Sequence, residues 1–264
     1  MTKRWWSVIA GFLIVLVGII LLLVQLEMIT LAGPLWGSIA LLGGASIFLA
    51  LWLGNPEEWW PLIPGSIMGG WGVATLLASL GVADWMVTLI GFGATVLPFV
   101  YIFFKLGPSE GWWALIPGGV VGAWGLGAVL GVFGMHDAVV TFVGFVGSAV
   151  PFLIIFGMNR KENWWALIPG GVMGLMGVVT TLGEIVGEEW TATFVLLGIS
   201  LAFLGVFVWN RRQWWALIPA GVLALVGVGV SPATGALTIL WAVGLMGVGG
   251  FLLVRALLPR SRDE

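Results

Sequence analysis

The sequence predicts an all-α integral membrane protein, a bundle of ten transmembrane helices arranged as five tandem two-helix repeats. The 264 residues are 60% hydrophobic and 8% charged, with a mean hydropathy of +1.13, whereas soluble domains are about half apolar and a quarter charged. Uncharged runs of about 20 residues, the length that crosses a hydrocarbon core of about 30 Å, follow one another from Trp5 to Val254. A tryptophan-pair motif returns at a nearly constant interval.

The tryptophan pairs stand at 5–6, 59–60, 112–113, 164–165 and 214–215, so their separations are 54, 53, 52 and 50 residues. Four of the five pairs are followed by Ile-Pro-Gly or Ile-Pro-Ala, while the first copy has Ala10-Gly11 and diverges most, as end repeats often do. The motif residues of these four copies are Trp59, Trp60, Pro64 and Gly65; Trp112, Trp113, Pro117 and Gly118; Trp164, Trp165, Pro169 and Gly170; and Trp214, Trp215, Pro219 and Ala220. We therefore predict one membrane domain with repeats 1–56, 57–109, 110–161, 162–211 and 212–264.

Each repeat contains a first helix that opens with the tryptophan pair and a second helix that runs back. The predicted first helices are 5–26, 59–80, 112–133, 164–183 and 214–230, and the second helices are 34–54, 85–105, 137–158, 190–210 and 235–256. The first run is too long for the hydrophobic part of a signal peptide and lacks a small-residue cleavage site, so we interpret it as a retained helix. Two spans per repeat make all repeats parallel.

The orientation follows from the basic residues, which mark cytoplasmic loops. All ten fall at the tryptophan-pair end of this arrangement, whereas the opposite end has only acids. The basic residues are Lys3, Arg4, Lys105, Arg160, Lys161, Arg211, Arg212, Arg255, Arg260 and Arg262, and the acids opposite are Glu27, Asp84, Asp137, Glu184, Glu188 and Glu189. We expect both termini and the tryptophan pairs to be cytoplasmic, in a bacterial inner membrane.

Each part of the motif has a predicted structural task. Tryptophan favours the membrane interface, and Trp36, Trp85 and Trp190 are candidates for the opposite interface. Proline frees the carbonyl four residues earlier, which is that of Trp60 in the second copy, and we expect water to satisfy it in a kinked or wide first turn.

Small residues recur zero, four and seven positions after the proline, on one helix face. This glycine seam consists of Gly65, Gly69 and Gly72; Gly118, Gly122 and Gly125; Gly170, Gly174 and Gly177; and Ala220, Ala224 and Gly227. Since small residues allow helices to approach closely in lipid, we expect the first helices to pack through the seam into an inner layer, with second helices outside or alternating. A phenylalanine recurs in the second helices at Phe48, Phe99, Phe152, Phe203 and Phe251.

Candidate chemistry is sparse. Ionisable residues are confined to the ends of the predicted spans, and the interior polar residues, Ser46, Ser66, Thr75, Ser148, Thr180 and Ser200, are expected to bond to their own helix backbone. His136 is the single histidine, Asp137 is expected to cap the sixth helix, and Glu184, Glu188 and Glu189 form a solvated turn. Without cysteine, thiolate metal sites are excluded. We predict no catalytic residue, metal or cofactor, and hence no enzyme.

These features favour a non-enzymatic structural, assembly or accessory subunit that contacts membrane lipids, other membrane proteins or a second copy of itself, and not nucleic acid. One alternative is a channel or carrier for an uncharged or apolar solute, in which the Ser and Thr hydroxyls line the path. A weaker alternative is a protein that binds lipid, quinone or pigment between its helices. Function is expected where the copies differ, at Ala10, Trp71 or Trp124, or in the turns around His136 and Glu188.

Overall fold

The structure, a computed structural model, describes residues 34–233 and 243–250. Throughout these residues the regular structure is helical. Seven of the helices are long and apolar enough to cross a membrane, by length and composition, which agrees with a helical membrane bundle. The chain divides into two compact units, Met1–Gly91 and Phe92–Glu264.

The first unit contains α1 (Pro34–Gly54), α2 (Leu62–Ser79) and the first residues of α3 (Asp84–Glu110). Helices α1 and α2 are antiparallel, since Gly65 near the start of α2 lies against Leu49 and Gly72 lies against Leu42. The hydroxyls of Ser38 and Thr75 are 2.8 Å apart and link the two helices.

The second unit contains the rest of α3, then α4 (Leu115–Val132), α5 (Asp137–Met158), α6 (Leu167–Val186), α7 (Thr191–Trp209) and α8 (Leu217–Gly229). From α4 to α8, each helix packs against the helix that follows it in sequence. Residues 243–250 are also helical. The unit is therefore built largely from contacts between sequence neighbours.

The helix bounds follow the sequence prediction closely. Helices α1 and α5 have the predicted bounds, 34–54 and 137–158. Helix α3 passes the predicted end at 105 and is broken at Gly107, whose φ of +73° suits glycine. Helix α6 continues past 183 to Val186 and ends at Gly187, with φ +104°. The predicted helix 5–26, the early part of 235–256 and the residues after 250 lie outside the described residues.

The packing is inverted relative to a soluble protein, because small residues fill the helix contacts and large apolar residues face outward. Buried positions include Ala74, Ala114, Ala166 and Ala216, each at most 1% exposed, whereas Phe104 is 77% exposed. Helices that pack in lipid have this pattern, since close backbone contact provides the attraction. The exposed faces are suited to hydrocarbon.

The tryptophan pairs precede the α-helices in short, tighter turns. Trp112–Ala114, Asn163–Ala166 and Trp214–Ala216 are 3₁₀ turns that lead directly into α4, α6 and α8. The prediction of a wide first turn with a water-satisfied carbonyl is wrong for the second copy, because the Ile63 N–H donates to the Trp60 carbonyl at 3.2 Å. A 3₁₀ bond thus replaces the bond that proline removes.

Candidate functional site

The motif proline is the third residue of helices α2, α4, α6 and α8. A side chain of the preceding helix contacts the residue that follows the proline. A methyl group added at Gly118 would lie 3.0 Å from Cβ of Phe99, and one added at Gly170 would lie 3.1 Å from Cβ of Phe152. The first unit has the same contact between Gly65 and Phe48, at 3.3 Å. The recurring glycine and the recurring phenylalanine are therefore partners, which sequence spacing did not show.

The glycine seam continues along the same interface. An added methyl group at Gly125 would lie 2.6 Å from Cβ of Phe92, and one at Gly177 would lie 2.7 Å from Cγ2 of Val146. At the middle positions, Gly122 and Gly174, an added methyl group would lie 3.7 Å from its nearest neighbour, an ordinary van der Waals distance. The expectation that first helices pack on one another through the seam is wrong for these copies, since the seam contacts the second helix of the preceding copy and the helices alternate.

A second set of small residues packs an adjacent face against the following helix. Gly119 lies against the Pro151 ring, and Gly171 lies against Ala202, at 2.8 and 3.0 Å from an added methyl group. The larger Trp124, 37% exposed, covers Gly144 at 2.8 Å. Both faces of the first helices therefore permit close approach, and Trp124 fills part of one.

The tryptophan pairs of successive copies contact one another. The ring centroids of Trp112 and Trp165 are 5.8 Å apart, and those of Trp164 and Trp215 are 6.2 Å apart, with tilted or edge-to-face geometry. In both contacts the first tryptophan of one copy meets the second tryptophan of the next. Tryptophans at the membrane interface were predicted. The contacts between successive pairs, which we call the aromatic ladder, were not predicted, because they depend on the lateral spacing of the helices.

The second unit has an apolar groove between α3, α4 and α5, with a volume of about 510 Å³. We call it groove A. Its floor is the small-residue face of α4, and its walls are large apolar side chains of α3 and α5. The floor consists of Gly118, Gly119, Gly122 and Ala123, and the walls include Phe99, Phe103, Phe104, Val150, Pro151 and Ile154.

Groove A begins at the tryptophan-pair end and runs from Ala114, the last residue of the 3₁₀ turn, to Leu126 of α4, roughly 18 Å at 1.5 Å per residue. That length is somewhat more than half of a hydrocarbon core of about 30 Å. Its lining is almost entirely apolar, so it is suited to an acyl chain or to an apolar helix. The sequence indicated the glycine floor but not the walls.

A second groove, groove B, lies between α6 and α7 and has a volume of about 430 Å³. It occupies part of the corresponding place one copy later, since Leu167 and Gly171 follow their tryptophan pair as Leu115 and Gly119 do. The remaining lining residues are Leu175, Leu201, Ala202, Gly205, Val208 and Trp209. Groove B also ends at the tryptophan-pair side, because Trp209 is the last residue of α7.

The hydroxyls within the helices serve mainly the helix backbone, as predicted. The donors to a carbonyl three or four residues earlier include Ser46, Thr75, Ser148 and Thr180. Besides the Ser38–Thr75 pair, Ser200 also joins two helices, because it donates to the Ala220 carbonyl of α8 at 2.7 Å. Ala220 replaces the glycine of the other motifs, and this hydrogen bond is a polar link between α7 of the fourth copy and α8 of the fifth.

One of the turn residues has a different task from the one predicted. His136, not Asp137, caps α5, since its Nδ1 accepts the Ala138 N–H at 3.2 Å, and Asp137 is the first helical residue. Glu189 is exposed in the 3₁₀ turn Glu188–Trp190. The side chains of Glu184 and Glu188 are outside the described part.

We expect Ser200→Ala to lower the free energy of unfolding by about 0.6 kcal/mol, and by at most about 1.7, the range for hydrogen bonds between transmembrane helices. Ser148→Ala is the matched control, because Ser148 is also buried but bonds within its own helix. Unfolding of the purified protein in detergent measures both. A larger loss for Ser148→Ala contradicts the assigned interhelical role.

The arrangement offers apolar concave surfaces, an aromatic ladder at one end and several hydroxyls that donate to backbone carbonyls. Such a set of groups binds apolar partners by shape and dispersion contacts. Comparison of this chain with protein-family models, with curated proteins and with solved structures finds no match.

Proposed function

We propose that this chain is a non-enzymatic structural or assembly subunit of a bacterial inner membrane, built from five parallel two-helix repeats with both termini cytoplasmic. Its task is to hold apolar partners, either lipid chains or helices of other membrane proteins or of a second copy, against its outer surface. Groove A is the observation that carries the proposal.

Groove A supports a binding role because its floor is recessed between walls from α3 and α5. Gly118 and Gly119 pack closely against Phe99 and Pro151 of these walls, and Gly122 has no side chain to fill the space between them. Exposed apolar side chains flank it, including Phe104 and Leu126, which are 77% and 56% exposed. Ridges on either side of a recessed backbone are the geometry in which apolar helices or chains pack in lipid.

The parallel arrangement is supported by the second unit, where α5 and α7 end on the side on which α6 and α8 begin. The basic residues Arg160, Lys161, Arg211 and Arg212 follow α5 and α7 directly, while Glu189 lies at the opposite end. By the positive-inside rule, the basic end is cytoplasmic.

The alternative of a channel or carrier has less support from the hydroxyls. Ser148 and Thr180 donate to carbonyls of their own helices, and Ser200 joins α7 to α8. These contacts use the hydroxyl protons for packing and for the helix backbone.

Photo-crosslinking in membranes of the native host tests the proposal. We expect p-benzoylphenylalanine in place of Leu126, in groove A, to give a discrete protein adduct, since a partner helix would lie within reach. Leu97 is the matched control, because it is 65% exposed on α3 and does not line groove A. A monodisperse monomer after mild solubilisation, with equal lipid-only adducts at both positions, contradicts an assembly role.

A further inference from the structure

We propose that groove B is a binding site for an anionic phospholipid, with an acyl chain in the groove and the phosphate at Arg160. The inference deepens the proposed function and rests on it in placing these helices in a membrane. Groove A has comparable apolar walls, but groove B also has an arginine on an aromatic side chain that lines it.

The apolar part of groove B suits one chain of a lipid in the leaflet at the tryptophan-pair side. The lining runs from Leu167 to Leu175 on α6 and from Leu201 to Trp209 on α7, each roughly 12 Å long at 1.5 Å per residue. This length covers much of one leaflet, because half of the hydrocarbon core is about 15 Å. An added methyl group at Gly205 would meet open space, so the groove is unfilled there.

The end of groove B is aromatic and basic. The Arg160 guanidinium lies 6.0 Å from the centroid of the Trp209 ring, and Phe156 meets the same ring edge-to-face at 5.1 Å. Trp209 is half exposed, and the Arg160 side chain is also exposed. An arginine on an interfacial tryptophan is held at headgroup level, where its planar fork of donors fits a phosphate.

The charge balance around this end favours an anionic headgroup over a zwitterionic one. Four basic residues, Arg160, Lys161, Arg211 and Arg212, stand against one acid, Glu162, in the two turns that follow α5 and α7. Of these four residues, only Arg160 has its charged group over a side chain that lines groove B. The Arg211 guanidinium lies 4.6 Å from the Phe207 ring, and Phe207 does not line the groove. Charge complementarity therefore places the phosphate at Arg160.

Native mass spectrometry of the full-length protein in detergent tests the site, with phosphatidylglycerol and phosphatidylcholine of identical chains as probes. We expect Arg160→Gln to weaken phosphatidylglycerol binding about fivefold, since a basic residue at the membrane surface contributes about 1 kcal/mol to the binding of an anionic lipid. Phosphatidylcholine, which carries the same phosphate but no net charge, should lose less. Arg211→Gln, the control for charge, should stay within about twofold of the wild type, because the Arg211 guanidinium lies over Phe207, which does not line groove B.

A second substitution tests the part of the proposed site that binds the acyl chain. Gly205→Leu places a side chain in the open space of groove B, so it should weaken binding of both lipids, whereas Gly157→Leu, where an added methyl group also meets open space but on α5, should not. Unchanged phosphatidylglycerol binding in Arg160→Gln or in Gly205→Leu overturns the proposal, and so does an equal loss in the matching control. Overturning it leaves the assembly role standing if the Leu126 adduct is found.

Discussion

Replacing Gly125 with alanine lowers the free energy of unfolding by about 1–3 kcal/mol, the usual cost of overpacking a close contact. The added methyl group would lie 2.6 Å from Cβ of Phe92. That atom is attached directly to the α3 backbone, so a rotamer change of Phe92 does not move it away. The two helices must separate, and the contacts along the seam weaken.

The matched control is Gly122→Ala, one turn earlier on the same face of α4. Its methyl group would lie 3.7 Å from Cγ2 of Val96, an ordinary contact. Because alanine is a better helix former than glycine by about 0.5–1 kcal/mol, this variant should unfold at the same or a higher temperature than the wild type. Thermal unfolding of both variants in the same detergent makes the comparison. Equal losses of stability would show either that the interface is equally tight at both positions or that these positions do not contact α3.

The sequence predicted the membrane class and the helix bounds well, because both depend on local properties. Runs of apolar residues define the spans, and Gly134, with φ +80°, stands between α4 and α5 where the predicted spans leave a turn. The exact match at 137–158 for α5 arises from two such local signals, a polar start at His136-Asp137 and a polar end at Asn159.

The partners of the helix faces were harder to predict, because spacing identifies a face but not its neighbour. The seam was expected to join first helices, and the structure instead places Phe92, Phe99 and Val146 of the second helices against it. Spacing also did not show that the contact is less tight at the middle seam positions, Gly122 and Gly174, than at Gly125 and Gly177.

The candidate site was predictable only in part, for the same reason. The glycines that form the floor of groove A are evident from the motif, but its walls come from helices on both sides. Arg160 and Trp209 are 49 residues apart in sequence, so only the packing of α5 and α7 around the start of α6 reveals their contact.

The orientation of the repeats has the largest expected effect of all, because labelling from one side of a membrane is close to all-or-none. The chain contains no cysteine, so a single introduced cysteine is the only target of a maleimide. Glu110, Glu162 and Glu189 are suitable positions, since all three are exposed acids in turns or at helix ends. Glu110 and Glu162 precede successive tryptophan pairs, and Glu189 lies at the opposite end of the helices.

Reaction of these three single-cysteine variants with a membrane-impermeant maleimide in intact spheroplasts, and again after permeabilisation, is therefore the most direct test of parallel repeats with the tryptophan pairs inside. We expect Glu189→Cys to react in intact spheroplasts, and Glu110→Cys and Glu162→Cys to react only after permeabilisation. Reaction of Glu110→Cys and Glu162→Cys from different sides, or of Glu189→Cys from the same side as Glu162→Cys, would contradict the parallel arrangement.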